Sequence, residues 1–317
     1  MKIEKVKPLK IEYRKGFAYD VTLCQIHSTL PHYHTHDLEL VYCLEGHVNI
    51  VSSEQVVHLE AEGFFSIDFS EFHYMYSDDN ALVLLLHIDL QHVSASWEEL
   101  QYAIFSCESF HCFPYQREAM NKIKDLMLAL ALSQYSGERK SYLPQVDQII
   151  ELLQRYFDWY NYNNQDEYVN PALRSRFYRA LEYCTTNLTS KITAFDLAER
   201  ENINPNYYSQ FFTNSVYFSF SNLVKYIRCY EAEHMLLQTD LPNYEIAYAV
   251  GFSDPKYFYA AFAQWWHRSP KEHRQMYQDH FARFKKQKNG SLTIKGSEAA
   301  DLMQQQIARW HLYKNLG

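Results

Sequence analysis

FDLAERENINPNYYSQFF, from Phe195, and YEIAYAVGFSDPKYFYAAF, from Tyr244, are two versions of one pattern about 50 residues apart. Leu197-Ala198 corresponds to Ile246-Ala247, Tyr207-Tyr208 to Tyr257-Phe258, Phe212 to Phe262 and Ser219 to Ser269. An internal repeat of this length indicates a duplicated helical unit. Each copy reads as a short helix with a small Ala on its inner face, a tight turn and a second helix. Asn202 and Gly251 fall where that turn needs a positive φ. The unit so described is a helix-turn-helix.

On a 3.6-residue period, Tyr207, Tyr208, Phe211 and Phe212 form an apolar face of the first copy, and Tyr257, Phe258, Ala261 and Phe262 that of the second. The opposite faces present Asn206, Ser209, Gln210 and Thr213, then Lys256, Tyr259, Ala260 and Ala263. Asn and Gln can pair with both N6 and N7 of adenine, whereas Ala offers only a methyl contact, so base readout is expected to lean on the first copy. Tyr207 is counted among the candidate DNA contacts as well. The segment SFSNLVKYIRCYEAEHMLLQT, from Ser219, has neither Gly nor Pro and predicts one long helix between the copies. A straight strut of that kind sets two reading helices against successive major grooves, which recur about every 34 Å.

Upstream the period changes. VTLCQIHS, LELVYCL, HVNIVSS, QVVHLEA, FFSIDF and LVLLLHIDL follow one another between residues 17 and 90 as short β segments, the pattern of a sandwich or small barrel. Helical spacing returns in residues 115–135 and 146–157, with Pro114 and Pro144 near the two starts. The second of these helices is apolar on more than one side and is a candidate dimer seam. NYNNQDEYVNP, residues 161–171, reads as a linker. The expected organisation is 1–160 sensor and dimerisation domain, 161–171 linker, 172–280 DNA-binding domain and 281–317 basic extension.

Bulk properties exclude several classes. With 47% apolar and 21% charged residues the chain is globular rather than disordered. No apolar leader and no run of about 18 apolar residues is present, so no membrane partner and a cytoplasmic location are expected. Six scattered cysteines suit reduced, buried thiols. The net charge of −8 conceals an asymmetry. Residues 1–169 hold 12 Lys and Arg against 25 Asp and Glu, whereas 170–317 hold 18 against 13. The last 37 residues hold 7 against 2, and that tail is expected to strengthen DNA binding.

Residues 172–274 resemble the DNA-binding domain of the AraC/XylS transcription regulators, through both copies, the connecting segment and the closing SPKEHR. Gln210, Thr213, Asn214, Ala260, Ala263 and Gln264 stand where that family often has basic residues, and Tyr217 and His267 where it usually has a helix-ending Gly. The first half resembles a cupin: PHYHTHDLELVYCLEG, from Pro31, is similar to its first motif and LEAEGFFSIDFSEFHYMY, from Leu59, to its second. The resemblance implies an α+β chain, a cupin-like β-barrel with two following helices and an all-α domain of two helix-turn-helix units joined by a long helix. It implies His34, His36, Glu39, Tyr42 and His73 as ligand contacts, and His34, His36, Glu39 and His73 as the set for any metal. Glu39 lies three residues from His36, on the opposite strand face unless a bulge intervenes. The preferred sequence reading is a ligand pocket without metal or other cofactor. His32 is placed at the surface or pocket edge.

The function implied is a non-enzymatic transcription regulator, an activator by family resemblance, whose partners are double-stranded DNA, a small-molecule effector such as a sugar, RNA polymerase and a second copy of the chain. Two alternatives are a metal-dependent cupin enzyme with a helical appendage and a regulator acting mainly through protein contacts.

Overall fold

The computed structural model describes residues 2–95, 97–101, 103–137, 143–158, 171–213, 219–286 and 290–314. The architecture is mixed α+β, with a sheet-rich N-terminal part and a helical C-terminal part. All six expected β segments form strands: β2 (Tyr19–Ser28), β4 (Asp37–Glu45), β5 (His47–Val51), β6 (Val56–Glu60), β7 (Phe64–Ile67) and β8 (Tyr74–Asp89). Two short pieces, β1 (Lys7–Pro8) and β3 (His32–Tyr33), pair in parallel beside them. The long strand β8 organises the sheet. Its start pairs with β5 at Tyr74 to Tyr76, and beyond Asn80, which has φ +57°, it pairs with β2 on one edge and β4 on the other.

Residues of one parity from six strands, Ile26, Val41, Ile50, Leu59, Ile67 and Val83 among them, pack into a small core of their own. Convergence of six strands on one core means that the sheet curls. Its hydrogen-bonded path nevertheless runs β6-β5-β8-β2 without closing, so among the described residues the expected barrel is open. The other parity of the same strands, including Leu38, Leu40 and Leu84, faces helices.

After the short α1 (Trp97–Leu100) come α2 (Pro114–Tyr135) and α3 (Leu143–Tyr156). Val146, Ile149, Ile150 and Leu153 of α3 are fully buried within the chain, so the apolar face proposed as a dimer seam is spent internally. Ten residues of the expected linker, 161–170, lie outside the described residues. The helical part comprises α4 (Pro171–Thr186), α5 (Ala194–Arg200), α6 (Pro205–Thr213), α7 (Phe220–Gln238), α8 (Asn243–Ala249), α9 (Pro255–Trp266) and α10 (Pro270–Lys286). One continuous apolar cluster runs from the sheet through α2 and α3 into these helices. The two parts are sewn together by polar contacts too. Tyr277 Oη donates to the Phe72 carbonyl (2.9 Å), and the Val6 amide donates to the Leu237 carbonyl (3.1 Å).

The C-terminal basic stretch packs on the sheet-rich part. β9 (Leu292–Ile294) adds to the sheet beside β2, and α11 (Gly296–Lys314) packs against α2. Ala299, Met303 and Trp310 are buried there, and the tail's charges are partly consumed, Lys314 by Asp125 (2.7 Å) and Arg309 by Glu45 (3.1 Å). Burial of apolar side chains outweighs the small value of exposed charge, which is why this segment folds back.

Lys124 of α2 lies under this junction. It is buried, donates to the Glu62 carbonyl (2.6 Å) and sits over the rings of Tyr42 and Trp310. Burial pushes its ammonium down from 10.5 to about 8. Between those two values the unfolded chain binds the extra proton, so stability rises with pH. Relative to Lys124→Met, the wild type should gain about 3 kcal/mol as pH climbs from 8 to 10.5 in urea titrations. A difference that is flat with pH would remove Lys124 as the titrating group.

Candidate nucleic-acid interface and a buried histidine cluster

The repeat folds as two helix-turn-helix units, α5–α6 and α8–α9, with α7 between them. Local sequence explains the starts. Thr193 caps α5 through a reciprocal pair with Asp196, Asp254 accepts from the Lys256 amide (2.8 Å) ahead of Pro255, and the equivalent Ser219 and Ser269 cap α7 and α10. Both turns have the expected backbone, φ +54° at Asn202 and +90° at Gly251. At Gly251 space is also decisive, because a Cβ would lie 2.4 Å from the Leu188 carbonyl oxygen. His267 ends α9 at φ +54°, the left-handed conformation for which glycine is better suited. Tyr217 and Asn214 lie outside the described residues.

Asn206, Tyr207, Ser209, Gln210 and Thr213 on α6 are all exposed, as are Lys256, Tyr259 and Ala260 on α9. The apolar faces are narrower than the sequence suggests. Tyr208 and Phe212 of α6 and Phe258, Ala261 and Phe262 of α9 are buried, whereas Tyr207 and Tyr257 are exposed at 46% and 55%. Tyr207 lies instead under the Arg176 guanidinium, 5.6 Å from its ring centroid, and Lys256 pairs with its own cap residue Asp254 (3.3 Å).

A groove of about 1040 Å³ runs between the two units. Ser209 and Thr213 of α6 and Ala260 and Gln264 of α9 line it from opposite sides. Lys191, Lys225 and Arg228 also line it, and none of the three was singled out in the sequence. Arg228 donates to the carbonyls of Leu188 (3.0 Å) and Ser190 (2.9 Å), fixing the segment before α5 against α7. The charge missing from α6 and α9 is thus supplied by the strut and by the approach to the first unit. The i, i+3 spacing of Lys225 and Arg228 on α7 was the available signal, since it puts both on one helix face.

In the sheet-rich part, His34, Glu39 and His73 do come together, but His36 and Tyr42 do not join them. Thr35 and His36 form a bend between β3 and β4, which leaves His36 exposed and resets the strand phase. Glu39 consequently points to the same side as Val41 and Cys43, and Tyr42 to the other, where its hydroxyl donates to Glu62. His32, half-buried at the edge of the cluster, takes the place assigned to His36. His32, His34, Glu39 and His73 each offer a ligand atom within 4.8 Å of the others. His87, which faces Glu39 across the β4–β8 pairing, lies 3.7 Å from its second oxygen and had no sequence signal.

Each of the three histidines has Nδ1 on a backbone carbonyl: His32 on Leu30 (2.7 Å), His34 on Leu9 (3.0 Å) and His73 on Glu71 (3.0 Å). A carbonyl only accepts, so Nδ1 carries hydrogen in all three. The opposite nitrogens of His34 and His73 approach Glu39 Oε2 at 3.2 and 2.9 Å. His73 Nε2, although this close, has no hydrogen-bond partner among the described residues beyond its ion pair with Glu39. Burial raises the Glu39 carboxyl, but His73, His87 and His34 outweigh it and hold it well below the ordinary 4.5. For His34 burial works downward, and the hydrogen bond and charge of Glu39 reverse it, leaving it raised. Burial and repulsion by His73 hold His32 well below 6.5. Three imidazoles oriented by outer carbonyls and one carboxylate make a donor set suited to a first-row divalent cation.

Residues 197–276 match the family described as a helix-turn-helix domain. Over 111 residues the chain is 32% identical to YijO of Escherichia coli (strain K12), described as an uncharacterized HTH-type transcriptional regulator, covering 34% of this chain and 39% of that one. It is 28% identical over 103 residues to YobQ of Bacillus subtilis (strain 168), described in the same words, covering 32% and 41%. Among solved structures, the C-terminal domain of AraT, a response regulator from Geobacillus stearothermophilus, is 32% identical over 34% of this chain and 86% of that one, with a TM-score of 0.30. The chain spans about two fifths of the length of the curated relatives it matches. Its C-terminal helical part carries a helix-turn-helix domain. Among the described residues no helix is long and apolar enough to cross a membrane.

Proposed function

We propose that the chain is a cytoplasmic, ligand-responsive transcription regulator that reads double-stranded DNA through α6 and α9. One observation carries this reading: part of the exposed face of each helix, Ser209 and Thr213 on α6 and Ala260 and Gln264 on α9, lines a single groove to which Lys191, Lys225 and Arg228 contribute. The 19-residue α7 is about 28 Å long, close to the spacing of successive major grooves. Gln210 and Asn206 supply amide groups for base edges, and Lys225 supplies phosphate neutralisation. A homodimer would place two such readers on paired sites, and contact with RNA polymerase would make it an activator.

The test uses the full chain and DNA from upstream of its own gene, by fluorescence anisotropy at two salt concentrations. Gln210→Ala should cost about 1–3 kcal/mol at one base position and little on scrambled DNA. Lys225→Ala should weaken binding to all sequences and flatten the salt slope by about one unit. Absence of any salt-sensitive, sequence-specific binding would turn the assignment toward a regulator acting through protein contacts.

The sheet-rich part is the sensor in this reading. His32, His34, Glu39 and His73 would hold a divalent cation, which when bound supplies Lewis acidity and a fixed positive centre for a small polar effector. The chain's own residues orient the imidazoles through the carbonyls of Leu9, Leu30 and Glu71 and balance charge through Glu39. A metal-dependent enzyme is the alternative favoured by this cluster alone, and turnover by the metal-loaded protein would be its signature.

A further inference from the structure

A second cavity, of about 310 Å³, lies between the sheet-rich part and helices α4 and α7, apart from both the histidine cluster and the DNA groove. Glu54, Asp68, Glu71, Glu108 and Glu231 line it, and among the described residues its lining contains neither Lys nor Arg. His234, also on the wall, is pushed down by burial and adds no cation. The remaining wall is largely apolar and aromatic, with Phe65, Phe105 and Tyr230. Ser53 on the same wall is 2% exposed, and its hydroxyl has no hydrogen-bond partner among the described residues.

We propose that this cleft binds an amphipathic organic cation, its ammonium among Glu54, Asp68 and Glu231 and its apolar body against Phe65, Phe105 and Tyr230. Carboxylates without counter-charge attract an ammonium, and a tyrosine face adds cation–π attraction. The unpaired Ser53 hydroxyl offers a further acceptor for an ammonium hydrogen. Burial pushes the Glu54 carboxyl up to about 7, the Glu71 carboxyl up to about 8, the Asp68 carboxyl well above its ordinary value and the Glu231 carboxyl upward, a desolvation cost that a bound cation offsets by restoring the charged forms. Glu54 follows β5 while Glu231 belongs to α7, and Glu54 already accepts from Tyr226 Oη of α7 (2.6 Å). A guest in the cleft therefore touches both the sheet and the strut that joins the DNA-reading units, and differential binding to two arrangements of these parts is how it would act.

This deepens the reading of a ligand-responsive regulator, but binding is measured without DNA, so either can fail alone. Calorimetric titration of the full chain compares 2-phenylethylamine with its neutral and anionic counterparts, 2-phenylethanol and 3-phenylpropanoate. The amine should bind at least about tenfold more tightly than the alcohol, and the carboxylate not at all. Glu231→Gln, at a side chain without a hydrogen-bond or ion-pair partner among the described residues, should remove most of that preference and leave alcohol binding unchanged. Equal affinities for amine and alcohol, tighter binding of the carboxylate, no amine binding at millimolar concentration, or an unaltered preference in Glu231→Gln each overturns the proposal. The wild-type comparison decides the matter even if the variant does not fold.

Discussion

Glu39→Gln is expected to weaken Zn²⁺ binding by more than about 100-fold while leaving the sheet folded. The carboxylate is the only anion among four converging donors, and it is 1% exposed, so no water replaces it readily. Glutamine keeps the size but removes the charge that faces His34 and His73 at 3.2 and 2.9 Å. His36→Ala is the matched control, since His36 is exposed and outside the cluster. Competition titration against a chromophoric chelator separates the outcomes. Equal losses in Glu39→Gln and His36→Ala, or Zn²⁺ binding unchanged by both, would remove the metal from the proposed sensor.

The second large effect lies in the helical part. His273 Nε2 of α10 donates to Glu233 Oε1 of α7 at 2.6 Å, and both side chains are completely buried. Phe262 of α9 and Tyr277 of α10 pack on the His273 ring at 5.5 and 5.1 Å between centroids. Glu233→Ala leaves a buried imidazole without its partner and should destabilise the chain by about 3–5 kcal/mol. Replacing both partners, Glu233→Met with His273→Leu, should recover much of that loss, because neither buried polar group is then stranded. Urea unfolding measures both. A loss below about 1 kcal/mol for Glu233→Ala would mean that the pair is not the clamp between α7 and α10.

Much of the helical part was legible because its rules are local. The repeat and the positive φ at Asn202 and Gly251 depend on neighbours within a few positions. The same holds for the six strands, whose period of two is a property of short segments. Parity misled at two places. Tyr207 and Tyr257 fit an apolar stripe by spacing yet remain exposed, because the facing helix covers only a narrower arc. His36 fitted an alternating pattern that a bend at Thr35 and His36 interrupts, and no propensity marks that bend in advance.

By itself the sequence determined the duplicated helix-turn-helix, the succession of strands and helices, and the polar composition of α6 and α9. Only the tertiary structure decided that His32 rather than His36 accompanies Glu39, that Lys225 and Arg228 lie in the groove between α6 and α9, and that β9 and α11 return to the sheet. The reason is physical. Hydrogen bonding and steric preference along the chain act over one or two turns, whereas these placements depend on which distant surfaces gain most by leaving water together.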